Sequence, residues 1–461
     1  MRYLFFVIIL IFLFFSNSCR KEKLLTDGKA KIQFSTDTIL FDTVFTTVGS
    51  TTRALKIYNR NNGKIIISDI RLAGGTFSNF RINVDGSPGV YFEDIEIEAG
   101  DSIYVFAEVT IDPNNGTNPM VIEDSILFNT NGNRQKVILN AWGQDAYFHV
   151  KELISNNTTW MNDKPHVIYN YTAVDSNVTL TIPAGTNVYA HANSTLLIYK
   201  GSLQVNGSAS SPVNFKGDRL EPYYDSISGQ WRGIYFFEPQ TSLIQYANIR
   251  NAQIGIQIDT LKTGQFVNLE QVKVENSSFF NILTQGANLN AVNCLFSLAG
   301  INAASIRIGG NVYFDHCTFA NYWRGGTRQT PAVLLTDYYV AANQTVQYRP
   351  FNNLNINNSI ISGYNTNELV VDTLSRTISG MAPVFKFDYC LIKTEEITTN
   401  ATHYSNIKKN LNPAFIDVFY WNFKIGTNSA AKDYSFNSTT FIDLIGSARD
   451  GFPDAGCYEA Q

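Results

Sequence analysis

The amino-acid sequence predicts an all-β protein: an N-terminal β-sandwich followed by a right-handed parallel β-helix. Two patterns carry that prediction. Between residues 243 and 392 a short motif returns six times, a small residue (Ala247, Ser277, Cys294, Cys317, Ser359, Cys390) with apolar residues five and three positions before it and two after it; Ser242 alone breaks the apolar rule. Between residues 32 and 145, apolar and polar residues alternate in short runs separated by Asn-Gly, Asp-Gly and Asn-Pro pairs. Alternation marks a strand with one buried face. In the repeat it changes phase just before the small residue, which reads as a bend joining two strands that both face inward. The first bend residue is usually polar (Gln245, Glu275, Asp315, Asn357, Asp388) and the second often Asn (Asn276, Asn293, Asn358), which tolerates left-handed backbone geometry. One such unit cannot bury its own apolar side, so copies must stack and share a core. The intervals are uneven, as expected of coils with loops of varied length. The short step from Ser277 to Cys294 reads as part of a coil.

The elements follow in order. Residues 4–15, LFFVIILIFLFF, are too short an apolar run for a comfortable membrane span and follow a single basic residue, Arg2. With Ser16 and Ser18 they fit a secretory signal over 1–18. Cys19 comes next, and the junction resembles the lipobox of bacterial lipoproteins in the loose form found in the Bacteroidetes group, Ser16 standing where Leu is usual. The resemblance implies lipidation of Cys19 and a membrane partner through that anchor. The competing reading is ordinary cleavage that leaves Cys19 free. Residues 19–31 then form a charged tether. Its first residues, Arg20, Lys21, Glu22 and Lys23, leave open whether an outer-membrane lipoprotein of the cell envelope faces the periplasm or the surface.

Within 32–145 the alternation runs through Thr38–Thr47, Leu55–Tyr58, Ile65–Leu72, Ile103–Val109, Ile122–Phe128 and Val137–Trp142. Short strands with regular turn signals argue a β-sandwich. The run VFAEVTIDPNNGTNPMVIEDSILFNTNGNRQKVILNAWG resembles the immunoglobulin-like domains of abnormal-spindle and hydin-type proteins. Residues 146–177 are expected to connect the sandwich to the helix and cap it, and 178–461 to form the helix with its closing segment. VTLTIPAGTNVYAHANSTLLIYKGSLQVNGSASSPVNFKGD, GQWRGIYF and LIQYANIRNAQIGIQI resemble the opening coils of bacterial right-handed β-helix proteins of the pectate-lyase-like superfamily. Asn412-Pro413-Ala414-Phe415 and FIDLIGSARDGFPDAGCYE resemble that family's closing run, with Cys457 where Ala is usual. The resemblance implies a fold and not an activity, because the superfamily holds lyases, hydrolases, adhesins and non-catalytic proteins.

The formal charge of −4 and the lack of a basic stripe argue against a nucleic-acid partner. Of five Cys, Cys294, Cys317 and Cys390 fall in the small inward slot, where they read as a ladder of buried thiols, a Cys294–Cys317 disulfide being the alternative. With no Cys-x-x-Cys pair, no metal site is expected, and no cofactor. Glu275, Asp315 and Asp388 read as solvated bend residues, His316 as a turn residue, and Trp231-Arg232-Gly233 as a packing element. The insertion between Cys317 and Ser359 brings Tyr322, Trp323, Arg324, Arg328, Tyr338 and Tyr339, together with Tyr348 and Arg349. Aromatic faces stack on sugar rings and Arg forks pair with carboxylates or hydroxyls, and loops on a rigid coil are where such sites sit. The competing reading packs these side chains against the helix flank. The expected role is therefore a non-catalytic exported protein that binds a polysaccharide or a cell-surface protein. The alternatives are a polysaccharide lyase or glycoside hydrolase, and a structural spacer or adhesin.

Overall fold

The computed structural model describes residues 23–46, 48–112, 120–260, 264–341, 343–436 and 440–460. Cys19, the apolar leader and the Asn118-Pro119 turn lie outside the described residues. The chain divides into two compact units, 1–145 and 146–461.

The first unit is a β-sandwich, with ten strands among the described residues: β1 Gln33–Phe34, β2 Thr38–Phe45, β3 Arg53–Tyr58, β4 Ile65–Leu72, β5 Phe80–Val84, β6 Ser87–Gly89, β7 Tyr91–Ile97, β8 Ser102–Val109, β9 Met120–Thr130 and β10 Asn133–Gln144. One sheet runs β1-β3-β8-β5-β6, the other β2-β10-β9-β4-β7. Their inner faces meet in one core built from alternate residues such as Leu55 and Ile57, Ile65 and Ile67, Val105 and Ala107, and Val137 and Leu139. All six runs of alternation fall on strands, the first over Thr38–Phe45. The β5–β7 segment adds three more, joined by the Asp85-Gly86 turn, where both residues have positive φ as a tight hairpin requires. Residues 24–32 lie along this unit: Leu25 N donates to Lys64 O, and Ala30 and Ile32 enter the core.

The second unit is a parallel β-helix. Its ladder contains 26 strands among the described residues. Each full coil contributes three of them, for example Ser242–Gln245, Ala247–Arg250 and Ile254–Asp259, which we call its first, second and third faces. Every face pairs in parallel with the same face of the next coil. The stretch 146–177 lies within this ladder, with Tyr147–Ile154 pairing parallel to His166–Val174. Here Trp160 stacks over the hydrogen-bonded pair His149 and His166, at 4.5 and 4.3 Å between ring centroids.

The bend between the first and second faces is one residue in left-handed geometry, repeated coil after coil: Tyr246, Gln271, Asn293, His316, Asn358 and Tyr389 have φ of 45, 51, 51, 47, 47 and 51°. The inward slot after it runs Ala247, Val272, Cys294, Cys317, Ser359, Cys390. Ser277 is therefore not in that slot. It follows the other corner, between the second and third faces, where Asn251, Asn276 and Leu298 also have positive φ. Both corners use the same backbone device, so both present the same spacing, and the second repeat belongs one corner earlier, at Val272. With Val272 in the slot the short step disappears. Glu275 likewise leaves the bend column, which reads Gln245, Glu270, Val292, Asp315, Asn357, Asp388.

Cys294, Cys317 and Cys390 all enter one core and are free thiols, so no bridge joins Cys294 to Cys317. Each sulfur donates to a carbonyl of the preceding coil: Leu269, Ala291 and Ile356, at 3.6, 3.4 and 3.2 Å. Burial pushes the Cys390 and Cys457 thiols up to about 12.

These burials can be tested in two ways. The four thiols should stay unreactive toward a disulfide reagent at pH 8 until denaturant is added; rapid labelling of any one in the native protein would contradict its place in the core. Burial lowers the His166 imidazole to about 4. Its folded value thus lies below the unfolded value near 6.5, so the unfolded chain binds more protons between those limits. Its contribution, on the order of 3 kcal/mol, should be present above pH 6.5 and be lost as pH falls toward 4. Urea unfolding at pH 7 and 4.5 should show this loss, and His166→Gln should reduce it.

Candidate ligand-binding cleft

On the second face, outward positions of successive coils stack into two rows. One row reads Asn187, Asn214, Asn248, Lys273, Leu295, Thr318, Ile360. The other reads Tyr189, Lys216, Arg250, Glu275, Ser297, Ala320, Ser362. Both are polar or charged in the early coils and turn apolar or small from Leu295 onward. The closing segment explains the change. Phe423, Leu444, Cys457 and Tyr458 cover Leu295, Leu298 and Ala320, while Ile425, Ala431 and Ala455 cover Ile360 and Leu391. The early coils keep an amide ladder in place of a cover: Asn214 donates to Asn187 at 3.0 Å and Asn248 to Asn214 at 2.8 Å.

The closing segment holds its place through a buried clasp. The Arg449 guanidinium donates to Glu459 at 2.9 Å, to Asn293 Oδ1 at 2.8 Å and to Gly456 O at 2.9 Å. Asp443 accepts from Ile445 N and Ser447 N, and Asp454 accepts from Asp433 N and Ala460 N. These are the Asp, Arg and Glu residues of the closing run noted in the sequence, and here they work as structural ties. The left-handed bend residues receive the segment. Asn293 donates to Ile442 O, Asn358 to Phe436 O, and His316 Nδ1 lies 3.0 Å from Asp454 O. Burial drives His316 down to about 3 and raises Asp315, whose carboxylate accepts from Asn358.

Where the uncovered rows meet this cover, a cleft of about 430 Å³ opens over the corner at Asn276 and Leu298. Ser226, Ser228, Asn276, Trp323, Arg324 and Trp421 line it. Trp323 is fixed by close backbone approach: a Cβ on Gly325 would stand 2.4 Å from its ring. Arg324 donates to Phe419 O at 2.7 Å, with its guanidinium 4.0 Å from the Phe419 ring centre. Arg250 lies 4.8 Å over Trp421 and 3.8 Å from Glu275, so the cleft and the polar rows are continuous. Asn276 Nδ2 is spent on Ser226 O and Asn251 Oδ1.

The six residues singled out in the insertion fall into four places. Trp323 and Arg324 line the cleft. Tyr322 packs beside Phe415, Phe423 and Tyr364, with its hydroxyl on Ser362. Arg328 is buried in a two-pronged pair with Glu368, at 2.9 and 2.5 Å, and also donates to Asn321 O. Tyr338 and Tyr339 belong to the hairpin Tyr338–Val340/Val346–Tyr348, where the Tyr338 hydroxyl binds Asp372 at 2.6 Å. Trp421 and Arg250 carry no mark in the sequence pattern, and Asn276 stands there only as a bend residue. Arg250 could have been reached from the alternation of its strand, but Trp421 joins the site only through the fold of the closing segment.

The cleft offers two indole faces, a guanidinium, two serines and an amide. Glu275 supplies the carboxylate of the adjoining rows and is held by Arg250 and by the Ser297 hydroxyl, which donates at 3.3 Å. No group of three or more His, Cys, Asp or Glu that could hold a metal ion occurs among the described residues. The geometry suits binding of a polyhydroxylated ring: aromatic faces for its C–H surface and polar groups for its hydroxyls.

No protein-family model matches the chain, and no curated protein matches it. Partial likeness to solved structures exists. A family 123 glycoside hydrolase from Clostridium perfringens aligns at 10% identity over 25% of this chain and 26% of its own, with a TM-score of 0.18. A protein of unknown function from Porphyromonas gingivalis W83 aligns at 10% identity over 27% of this chain and 60% of its own, also with a TM-score of 0.18. Overlaps this slight carry neither fold nor function across.

Removing one partner of a buried ion pair strands the other, at a cost of about 3–5 kcal/mol. Arg328→Ala should lower the unfolding free energy of the helix by that amount. Replacing both partners with apolar residues, Arg328→Met with Glu368→Leu, should recover only part of it, because Asn321 O, Ala332 N and Asn365 N also lose their partners. Equal losses in the single and double variants would show that the pair is not the anchor.

Proposed function

We propose that this protein is a non-catalytic, lipid-anchored protein of the cell envelope that holds a glycan chain on the second face of its β-helix. The observation that carries the reading is the cleft between Trp323 and Trp421 and its continuity, through Arg250, with the uncovered polar rows. A chain laid along the coils meets a regular series of side chains, about 4.8 Å apart, and ends against two indole rings. The anchor belongs to the same reading. The leader over 1–18 and Cys19 follow the loose lipoprotein pattern of the Bacteroidetes group, which attaches the protein to the outer membrane on its periplasmic or its surface side. A sandwich of the immunoglobulin-like type found in abnormal-spindle and hydin-type proteins then stands between anchor and helix in the sequence.

The test is a panel of polysaccharides offered to the protein lacking residues 1–19, following retention, new reducing ends and unsaturated products together. Retention without cleavage is expected. Trp323→Ala and Trp421→Ala should each weaken it at least tenfold, equivalent to about 1.4 kcal/mol. Cleavage of any polymer would replace this reading with a lyase or hydrolase. Retention that survives both Trp substitutions would move the site elsewhere.

A further inference from the structure

The sandwich carries a second aromatic surface, on the outer face of the β1-β3-β8-β5-β6 sheet and remote in sequence from the helix cleft. Outward residues of β8 are Tyr104, Phe106 and Glu108, which alternate with buried Val105, Ala107 and Val109. Tyr104 and Phe106 stack at 5.8 Å with 14° between their planes, and both are about two-fifths exposed. The Lys56 ammonium sits 5.1 Å from the Tyr104 ring centre and 5.4 Å from that of Tyr58, so that end of the strip is occupied. The other end is open. Phe106 is flanked across the strands by Ala54, too small to cover it, and by Asn83. Beyond Asn83 rises the β5–β6 hairpin, whose Gly86 and Pro88 form a wall. Together they enclose a hollow of about 420 Å³.

Two polar groups of this hollow, the Asn83 amide oxygen and the Glu108 carboxylate, are not used by the fold. Asn83 Oδ1 is buried and has no hydrogen-bond partner. The Glu108 carboxylate makes no hydrogen bond or ion pair among the described residues. Arg81 stands directly opposite Glu108, with its guanidinium on the carbonyls of Ser78 and Phe80. A buried amide oxygen without a partner is costly, and a turn of the Asn83 side chain into the hollow, where a ligand donates to that oxygen, removes the cost. Arg81 balances Glu108, so a cationic ligand gains little net attraction here. A neutral ring with one apolar face and several hydroxyls fits each feature. Its C–H face lies on Phe106, and its hydroxyls donate to Asn83 and Glu108.

We propose that this hollow is a second saccharide site, taking a single neutral pyranose unit on Phe106. It is independent of the helix cleft, and the experiment separates the two. Methyl β-glucopyranoside, methyl β-galactopyranoside and methyl N-acetyl-β-glucosaminide, each bearing a diazirine, are photolysed with the full-length protein in a sugar-free detergent, and the cross-links are mapped by mass spectrometry. Labelling within residues 81–88 and 104–108 is expected with at least one glycoside. Phe106→Leu, which keeps the apolar bulk but loses the ring face, should cut it at least fivefold, as should Asn83→Ala. Labelling near Trp323 and Trp421 should not change in either variant. Absence of sandwich labelling, or labelling that persists in Phe106→Leu, overturns the proposal whatever happens at the helix cleft. So does cross-linking of a diazirine-bearing lysine peptide at these strands when no glycoside labels them.

Discussion

One constraint governs the second unit: every coil must present the same cross-section to the coil above and below. The backbone hydrogen bonds of a parallel ladder run between coils, so a corner that turned differently in one coil would break the pairing on both sides. The chain meets the constraint with a single left-handed residue at each bend between the first and second faces. Asn is one solution, but Tyr246, Gln271, His316 and Tyr389 take the same geometry. A non-glycine residue there costs about 1 kcal/mol or more, offset by the ladder on either side. With the corners fixed, inward side chains fall into columns. A small slot such as that of Cys294, Cys317, Ser359 and Cys390 follows directly, because the column lies tight against the bend.

The same stacking orders the outside. An outward residue finds its neighbours at the same position in adjacent coils, so a change of character along a row marks a change in what lies over it. Lys273 gives way to Leu295 and Glu275 to Ser297 where the closing segment begins its cover. The bend residues serve a second purpose there. Their side chains point away from the core, and those of Asn293, His316 and Asn358 tie down the closing segment. The clasp around Arg449 then fixes the segment's path, and with it the position of Trp421. The cleft is thus a product of three separate stretches held by one rigid coil.

Much of this was legible in the sequence. The inward columns depend on alternation and on one bend, both local, and they disclosed the helix. The sandwich strands read equally well where apolar residues alternate, but β7, with Glu93, Asp94 and Glu96 on an exposed edge, has no clean apolar period to read. The register error at Ser277 has a physical origin, since two corners of a coil share one geometry and local spacing does not distinguish them. The cleft was half legible. Trp323 and Arg324 stand out as an aromatic and a cation in a long insertion. Trp421 lies nearly a hundred residues further on, and its place beside Trp323 is set by ties that local pattern does not reveal.

The insertion after Cys317 also illustrates how a coil carries a site without losing its core. Aromatic and cationic residues there divide by what they touch. Arg328 turns inward to Glu368 and donates to Asn321 O, while Glu368 accepts Ala332 N, so the pair fastens both ends of the 322–331 loop to the ladder. Tyr322 locks the strap to the closing segment. Only after these anchors are satisfied do Trp323 and Arg324 project into the cleft, with Gly325 leaving room for the indole. An Arg in a long loop is therefore not by itself a ligand contact. Arg328 has the buried partner that makes it an anchor, whereas Arg324 meets a carbonyl and an exposed ring at the rim, where a bound molecule can reach it.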